Sequence, residues 1–279
     1  LTDYTNDASI TSYTEGDTSK MYTFHHDAGS QQSGWTAEEL TDYRYIGANP
    51  NNYVTFNDEM WRIIGIFTVE NEQGEKEKRI KIVREASIGT LAWDSASNEW
   101  GNSSLQQLLN SGDYYNRTGS YISTGLNSTA KSQIAATKWY LGGSNTSSGH
   151  GGPSYYAFER GTQVYTGRSV SWVGEVGLIY PSDYAYTYAY GVNDSCYSNG
   201  FLCGSSGVPS SGWLFNSTMT WTISALSNYI NRSFIIVSTG NVGNDEFSLA
   251  REIRPSVYLN SDVTVVGGTG SSNDPFVLS

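Results

Sequence analysis

Residues 59–67, Glu-Met-Trp-Arg-Ile-Ile-Gly-Ile-Phe, and residues 79–83, Arg-Ile-Lys-Ile-Val, are β-forming runs on either side of a charged stretch, 70–78, that contains Gly74. β-branched and aromatic side chains suit a pleated, half-buried surface, and a short charged segment between two such runs is a turn. The pattern predicts an antiparallel hairpin whose charge run is a solvated tip and not a binding site. Just upstream, Tyr53-Val54-Thr55-Phe56 followed by Asn57-Asp58 adds a second turn signal and feeds the same buried strand.

Downstream, Ser103-Ser104 caps a short helix in which Leu105, Leu108 and Leu109 recur at helical spacing, ended by residues 110–112. Asn127-Ser128 caps a second, with Ala130, Ile134 and Leu141 on one face, Lys131 and Lys138 left wet, and Gly142-Gly143 as its stop. Residues 144–152 then read as loop. Apolar runs at 176–180, 213–223, 233–237 and 253–259 follow, then a Gly-rich hairpin at 267–272 and a last strand near 276–278. Five tryptophans in or beside such runs, Trp61, Trp93, Trp139, Trp172 and Trp221, are expected in the core. The pattern is one α+β domain over residues 36–279 behind a polar N-terminal strap, residues 1–35, with no internal repeat.

Composition narrows the class of function. Asp and Glu number 27 against 16 Lys and Arg, giving a net charge of −11, which opposes phosphate binding and argues against a nucleic-acid partner. Aromatics make up 14% of the chain, with 21 Tyr and 8 Trp, more than a disordered chain carries. No run of about 18 apolar residues is present, so no membrane insertion by this segment is expected. No charged-then-apolar leader opens it, and Leu1 reads as the start of a trimmed or mature chain. Abundant Gly, Ser, Thr and Asn with few Met fit an extracellular or cell-surface protein. Cys196 and Cys203 lie close together around an Asn199-Gly200 turn. A zinc site needs four ligands and no His is near, so a short structural disulfide is preferred over a redox or metal site. Closing so small a loop stabilises by about 2.5 kcal/mol and suits an oxidising compartment.

The familiar catalytic signatures are missing. There is no GxSxG elbow, no Walker loop and no GxGxxG dinucleotide fingerprint. The glycines at 267–270 follow a strand but open no helix, so no cofactor is expected. The histidines are three, His25, His26 and His150; His25 and His26 are adjacent, hence on opposite faces of a strand, and this pair in a polar strap is expected to be solvated. Asp183, Asp245 and Glu246 are loop carboxylates that glycoside chemistry would require in pairs. No EF-hand or other metal site is read from the sequence.

Several runs together resemble an uncharacterised exported Firmicutes family. They are DYRYIGANP at 42–50, NNYVTFNDEMWRIIGIF at 51–67, SIGTLAWD at 87–94, WYLGG at 139–143, ERGT at 159–162, LIYPSDY at 178–184 and IRPSVYLNS at 253–261, the last followed by GGTGSSNDP. More distantly, the family is similar to the C-type-lectin-like fold of formylglycine-generating enzymes and of the variable proteins of diversity-generating retroelements. That resemblance implies an early strand pair, two helices and late strands that support a loop-built recognition face. The Arg254-Pro255 run resembles the closing strand after the variable region. The calcium–sugar motifs of animal lectins and the catalytic cysteine motif of formylglycine-generating enzymes are missing, so neither activity is implied.

The tract before Arg254 is where such proteins place their variable residues. Ser227, Asn228, Tyr229, Asn231, Arg232, Asn244, Asp245 and Phe247 are the expected ligand-binding residues, with Tyr229 and Arg232 as anchors. Tyrosine and asparagine on loops give rigid amphipathic contact and adaptable hydrogen bonds. The expected function is an adhesin-like module for a protein or glycan partner at a cell surface. The alternatives are a pilin-like or cell-wall structural subunit, and a carbohydrate-active enzyme using loop carboxylates.

Overall fold

Asn57 and Asp58 both carry positive φ, 58° and 57°. This is the conformation that a two-residue hairpin turn requires to match the right-handed twist of its strands. The computed structural model describes residues 20–26, 40–112, 119–144, 151–161, 167–188, 212–227 and 229–279. In chain order these begin with β1 (Tyr22–His26), β2 (Leu40–Arg44), β3 (Tyr53–Phe56), β4 (Glu59–Glu70) and β5 (Lys76–Arg84). The β3–β4 and β4–β5 pairs are the two hairpins expected, with Gly74 at φ 80° in the second turn.

The chain continues through β6 (Thr90–Leu91), α1 (Ser104–Asn110), a π-helical turn (Tyr121–Gly125), α2 (Ser128–Gln133), β7 (Thr137–Tyr140), α3 (Gly152–Gly161), β8 (Ser171–Gly174), β9 (Val176–Gly177) and α4 (Pro181–Ala185). The last third is strands: β10 (Thr220–Ala225), β11 (Arg232–Ile236), β12 (Val242–Glu246), β13 (Arg251–Glu252), β14 (Ser256–Tyr258), β15 (Val265–Gly267) and β16 (Phe276–Leu278). The fold is α+β and dominated by sheet. No helix among the described residues is long and apolar enough to cross a membrane.

The main sheet has the order β15-β16-β3-β4-β5-β14-β9, with β2 paired to β4 and β1 to β2. β4 accepts both β2 and β3 along its length, and Gly65 makes this possible. A Cβ there would land on the Tyr43 carbonyl of β2. A second sheet, β12-β11-β10-β13-β6, holds the late strands, and β7-β8 form a separate ribbon. Trp61, Trp93, Trp139 and Trp221 are fully buried as expected, whereas Trp172 is only partly so.

Three expectations are corrected. The second helix ends at Gln133 and not at Gly142. Ile134 bridges to Leu259, the Ala135 N–H bonds to the Tyr258 carbonyl, and Thr137–Tyr140 becomes a strand against β8. Non-local partners, Tyr258 and Leu259 for Ile134 and Ala135 and β8 for Thr137 to Tyr140, capture the residues there. The described part of the N-terminal strap, residues 20–26, packs into the domain: Met21, Tyr22 and Phe24 are buried and β1 extends the main sheet. The adjacent histidines do face opposite ways, but only His25 is exposed. His26 is 6% exposed, stacked on Tyr156 with ring centroids 3.6 Å apart, and bonded to Asp42 at 2.9 Å.

His26 belongs to a buried cluster of charge. The Arg44 Nη2 donates to Asp42 Oδ2 at 2.9 Å and its Nη1 to Asp183 Oδ1 at 3.2 Å. Lys81 Nζ donates to Asp183 Oδ2 at 2.5 Å. Asp183, expected in a loop, stands in the first turn of α4, where it accepts the Tyr180 N–H at 2.9 Å. Glu159 of α3 accepts from the Ser182 N–H and hydroxyl, at 2.9 and 2.5 Å. Arg160 lies over the Tyr156 ring at 3.3 Å. Desolvation is the largest influence on His26, Asp42, Lys81 and Glu159, and charged partners oppose it. Burial lowers His26 despite Asp42. Burial would raise Asp42, but His26 and Arg44 outweigh it and hold the carboxyl well below its usual range. Burial brings Lys81 down to about 8, with Asp183 pulling the other way. It pushes Glu159 up to about 7 against the pull of Arg160.

A raised carboxyl in the folded state means that ionising it opposes folding. Its contribution is fully present below the unfolded value near 4.5 and fades as pH rises through about 7. Comparing urea unfolding of the wild type and Glu159→Gln from pH 4.5 to 7.5 should show the wild type losing on the order of 3 kcal/mol relative to the variant. A constant difference across that range would mean that Glu159 is ionised throughout.

Candidate functional site

The expected recognition residues sit on and beside one end of the second sheet. β10 and β11 are antiparallel, as are β11 and β12, so the β10–β11 and β12–β13 connections emerge at the same end. The Phe247 N–H bonds to the Asn231 carbonyl at 3.0 Å and ties the two connections together. At the tip Tyr229 and Ile230 are 55% and 57% exposed, and Leu249 is exposed on the neighbouring connection. Asn231 is also exposed, and Ser227 and Arg232 are half-buried.

Asn98 sets the shape of this tip. Its side-chain amide lies 3.0, 3.1 and 2.6 Å from the carbonyls of Leu226, Tyr229 and Arg232. Two amide hydrogens are thus shared among three acceptors. Its own carbonyl oxygen accepts from Arg168, which also faces Glu99 at 4.0 Å. Asn98 is buried, so the tip is clasped from beneath. The crevice under it, lined by Asn98, Trp100, Leu141 and Ile223 among others, holds about 10 Å³, room for one water at most. This crevice is too small to take a ligand larger than water.

The seven described residues of the eight expected do not form one patch. Arg232 Nη1 donates to Asn244 Oδ1 at 2.8 Å on one face of the β11–β12 ribbon. Strand alternation directs Asp245 to the opposite face, where its carboxylate takes Arg251 Nε at 2.8 Å and Nη2 at 2.5 Å. Phe247, expected to meet a ligand, is 8% exposed and part of the core, and its carbonyl accepts the Trp93 N–H at 2.8 Å. Its side chain turns inward because its backbone is pinned between Asn231 and Trp93. Asn228, Cys196, Cys203 and His150 lie outside the described residues.

The loop carboxylates do not converge. Asp183 is buried against Lys81 and Arg44, Asp245 is paired with Arg251 at the sheet edge, and Glu246 follows on the other face of β12. Among the described residues, no group of three His, Cys, Asp or Glu side chains is placed to hold a metal. A separate open cleft of about 420 Å³ lies between Glu59, Arg84, Ser87, Leu108 and Tyr121. Arg84 is committed there, with two bonds to Glu59 and two to the carbonyls of Ala86 and Ser87, while the Tyr121 hydroxyl is buried without a hydrogen-bond partner.

Sequence reasoning passed over Asn98, Ile230 and Leu249. Asn98 sits in a polar stretch that reads as ordinary loop, and its partners are 128 to 134 residues away. Ile230 and Leu249 carried a usable signal, an apolar side chain in an otherwise polar turn. Compared with family models, with curated proteins and with solved structures, the chain matches none.

Asn98→Ala should remove the side-chain donor that the three carbonyls share, leaving the Tyr229 and Arg232 carbonyls their backbone donors, and cost about 1–3 kcal/mol. Amide exchange at Leu226 and Arg232, whose N–H groups bond within the tip, should accelerate with it. Unchanged exchange would show that the tip holds itself. Phe247→Ala should cost about 3–5 kcal/mol in urea unfolding, far more than a surface contact residue would.

Proposed function

We propose that this chain is a surface-displayed or secreted binding module that acts by recognition and not by catalysis, holding a protein or glycan partner at the tip of its second sheet. The observation that carries the reading is the exposure of Tyr229 and Ile230, side by side on a tip whose backbone Asn98 fixes from below. Large apolar side chains held in water on a clamped loop bind with little ordering cost, because the loop is already in place. Tyrosine adds a hydroxyl to its apolar face and needs only two torsions fixed. Asn231, Arg232 and Asn244 supply a polar rim, and Leu249 extends the apolar area on the adjoining connection.

The resemblance to C-type-lectin-like variable proteins supports the same reading. The early β4–β5 hairpin, the helices that follow it and the return of β14 onto β5 agree with that scaffold's order of elements. The tip precedes β14, where such proteins carry their variable residues.

The test is a glycan array and a panel of purified host-surface proteins probed with the wild type, with Tyr229→Ala/Ile230→Ala, and with Val277→Ala as an exposed control on the other sheet. Loss of two anchor side chains should weaken any specific signal by roughly 30-fold or more, with the control unchanged. Equal binding by all three proteins would move the site elsewhere.

A further inference from the structure

We propose that Lys81 and Asp183 condense into an intramolecular amide bond, which fastens the centre of the main sheet covalently to α4. The two residues are 102 positions apart in sequence, yet Lys81 Nζ lies 2.5 Å from Asp183 Oδ2. Their side chains are 0% and 1% exposed. They are thus held in reacting order in a site that water does not enter. Groups fixed this way react as though at enormous concentration.

The surroundings of the nitrogen favour the amine over the ammonium. Around Nζ stand the rings of Tyr180 at 4.2 Å, Trp139 at 5.0 Å, Tyr258 at 5.2 Å and Phe67 at 5.9 Å. Among the described residues Asp183 is its one hydrogen-bond acceptor, so an ammonium with three donors is poorly served. Burial accordingly brings it to about 8, within reach of the nucleophilic form near neutral pH.

The carboxyl group is held for attack. Arg44 Nη1 is 3.2 Å from Oδ1, the Tyr180 N–H is 2.9 Å from Oδ2, and Glu159 fixes the preceding Ser182 through its N–H and hydroxyl. In the reaction the Nζ lone pair adds to the carboxyl carbon. Negative charge gathers on Oδ1, where Arg44 meets it. The bond to Oδ2 then breaks, and that oxygen leaves as water carrying both protons that the nitrogen sheds. One ammonium and one carboxylate become one amide and one water. Nothing is oxidised or reduced, and no further reactant is needed.

The decisive measurement is the mass of the intact, purified chain, fully unfolded and with its cysteines reduced. The amide predicts a mass one water below that of the sequence, and a digest containing one branched peptide that joins the segment around Lys81 to that around Asp183. Lys81→Arg and Asp183→Ala should each restore the full mass. The wild-type measurement stands even if those variants fold poorly. A full-mass wild-type chain would overturn the proposal and leave an ordinary ion pair. So would a deficit that maps elsewhere or survives in Lys81→Arg.

Discussion

Charge withdrawn from water must be answered by charge, and five elements of this protein meet where that happens. His26 of β1, Asp42 and Arg44 of β2, Lys81 of β5, Glu159 and Arg160 of α3, and Asp183 of α4 lie together in the interior. Removing one partner from such a set strands the others at a cost of about 3–5 kcal/mol, more than most apolar contacts contribute singly. The geometry of one group therefore constrains the rest. Arg44 of β2 can bridge Asp42 and Asp183 only if α4 packs against β2. Lys81 can reach Asp183 only if α4 crosses β5. Around them the rings of Tyr156, Tyr180, Tyr186 and Phe67 take up the cationic faces that no carboxylate covers. Tyr156, Tyr180 and Tyr186 are spent here, in the interior.

The second sheet is built differently. Its strands are buried by apolar side chains and by Trp93 and Trp221, whose indole N–H groups reach the carbonyls of Thr222 and Leu91. Among the described residues it carries no buried ion pair of its own, and the pair of Asp245 with Arg251 lies at the edge where solvent screens it. One part of the molecule is therefore cross-braced electrostatically. The other projects loops whose side chains face water and are free to meet a partner.

Local chemistry made the hairpins legible in the sequence. Asn57-Asp58 and Gly74 announce turns that strands on either side confirm within a few residues. The first helix was equally plain, because Ser103 caps it and three leucines repeat inside it. The end of α2 was not, since Thr137 and Trp139 are drawn into a ribbon by Gly174 and Trp172, and no local pattern encodes that pairing. Lys81 was the hardest to place. In an alternating strand beside Ile80 and Ile82 it reads as the solvent-facing residue, yet it is the more deeply buried of Lys81 and Ile80. Its partner on α4 lies too far along the chain for any spacing rule to find. Tyr229, Ile230 and Asn231 stand exposed at one end of the late strands, but Phe247 shows the limit of composition. An aromatic in a polar loop can serve the core as readily as a ligand.

The clasp that Asn98 makes has a consequence of its own. It grips only peptide oxygens, and a peptide oxygen is alike in all twenty amino acids. The curve of the tip is therefore written in its own backbone bonds and in one residue far upstream, while the surface chemistry is written in others. Tyr229 and Ile230 can be exchanged for different side chains without erasing the curve that presents them. Shape is inherited from the frame and identity is left open, which is the arrangement a scaffold needs if many specificities are to be hung on a single backbone.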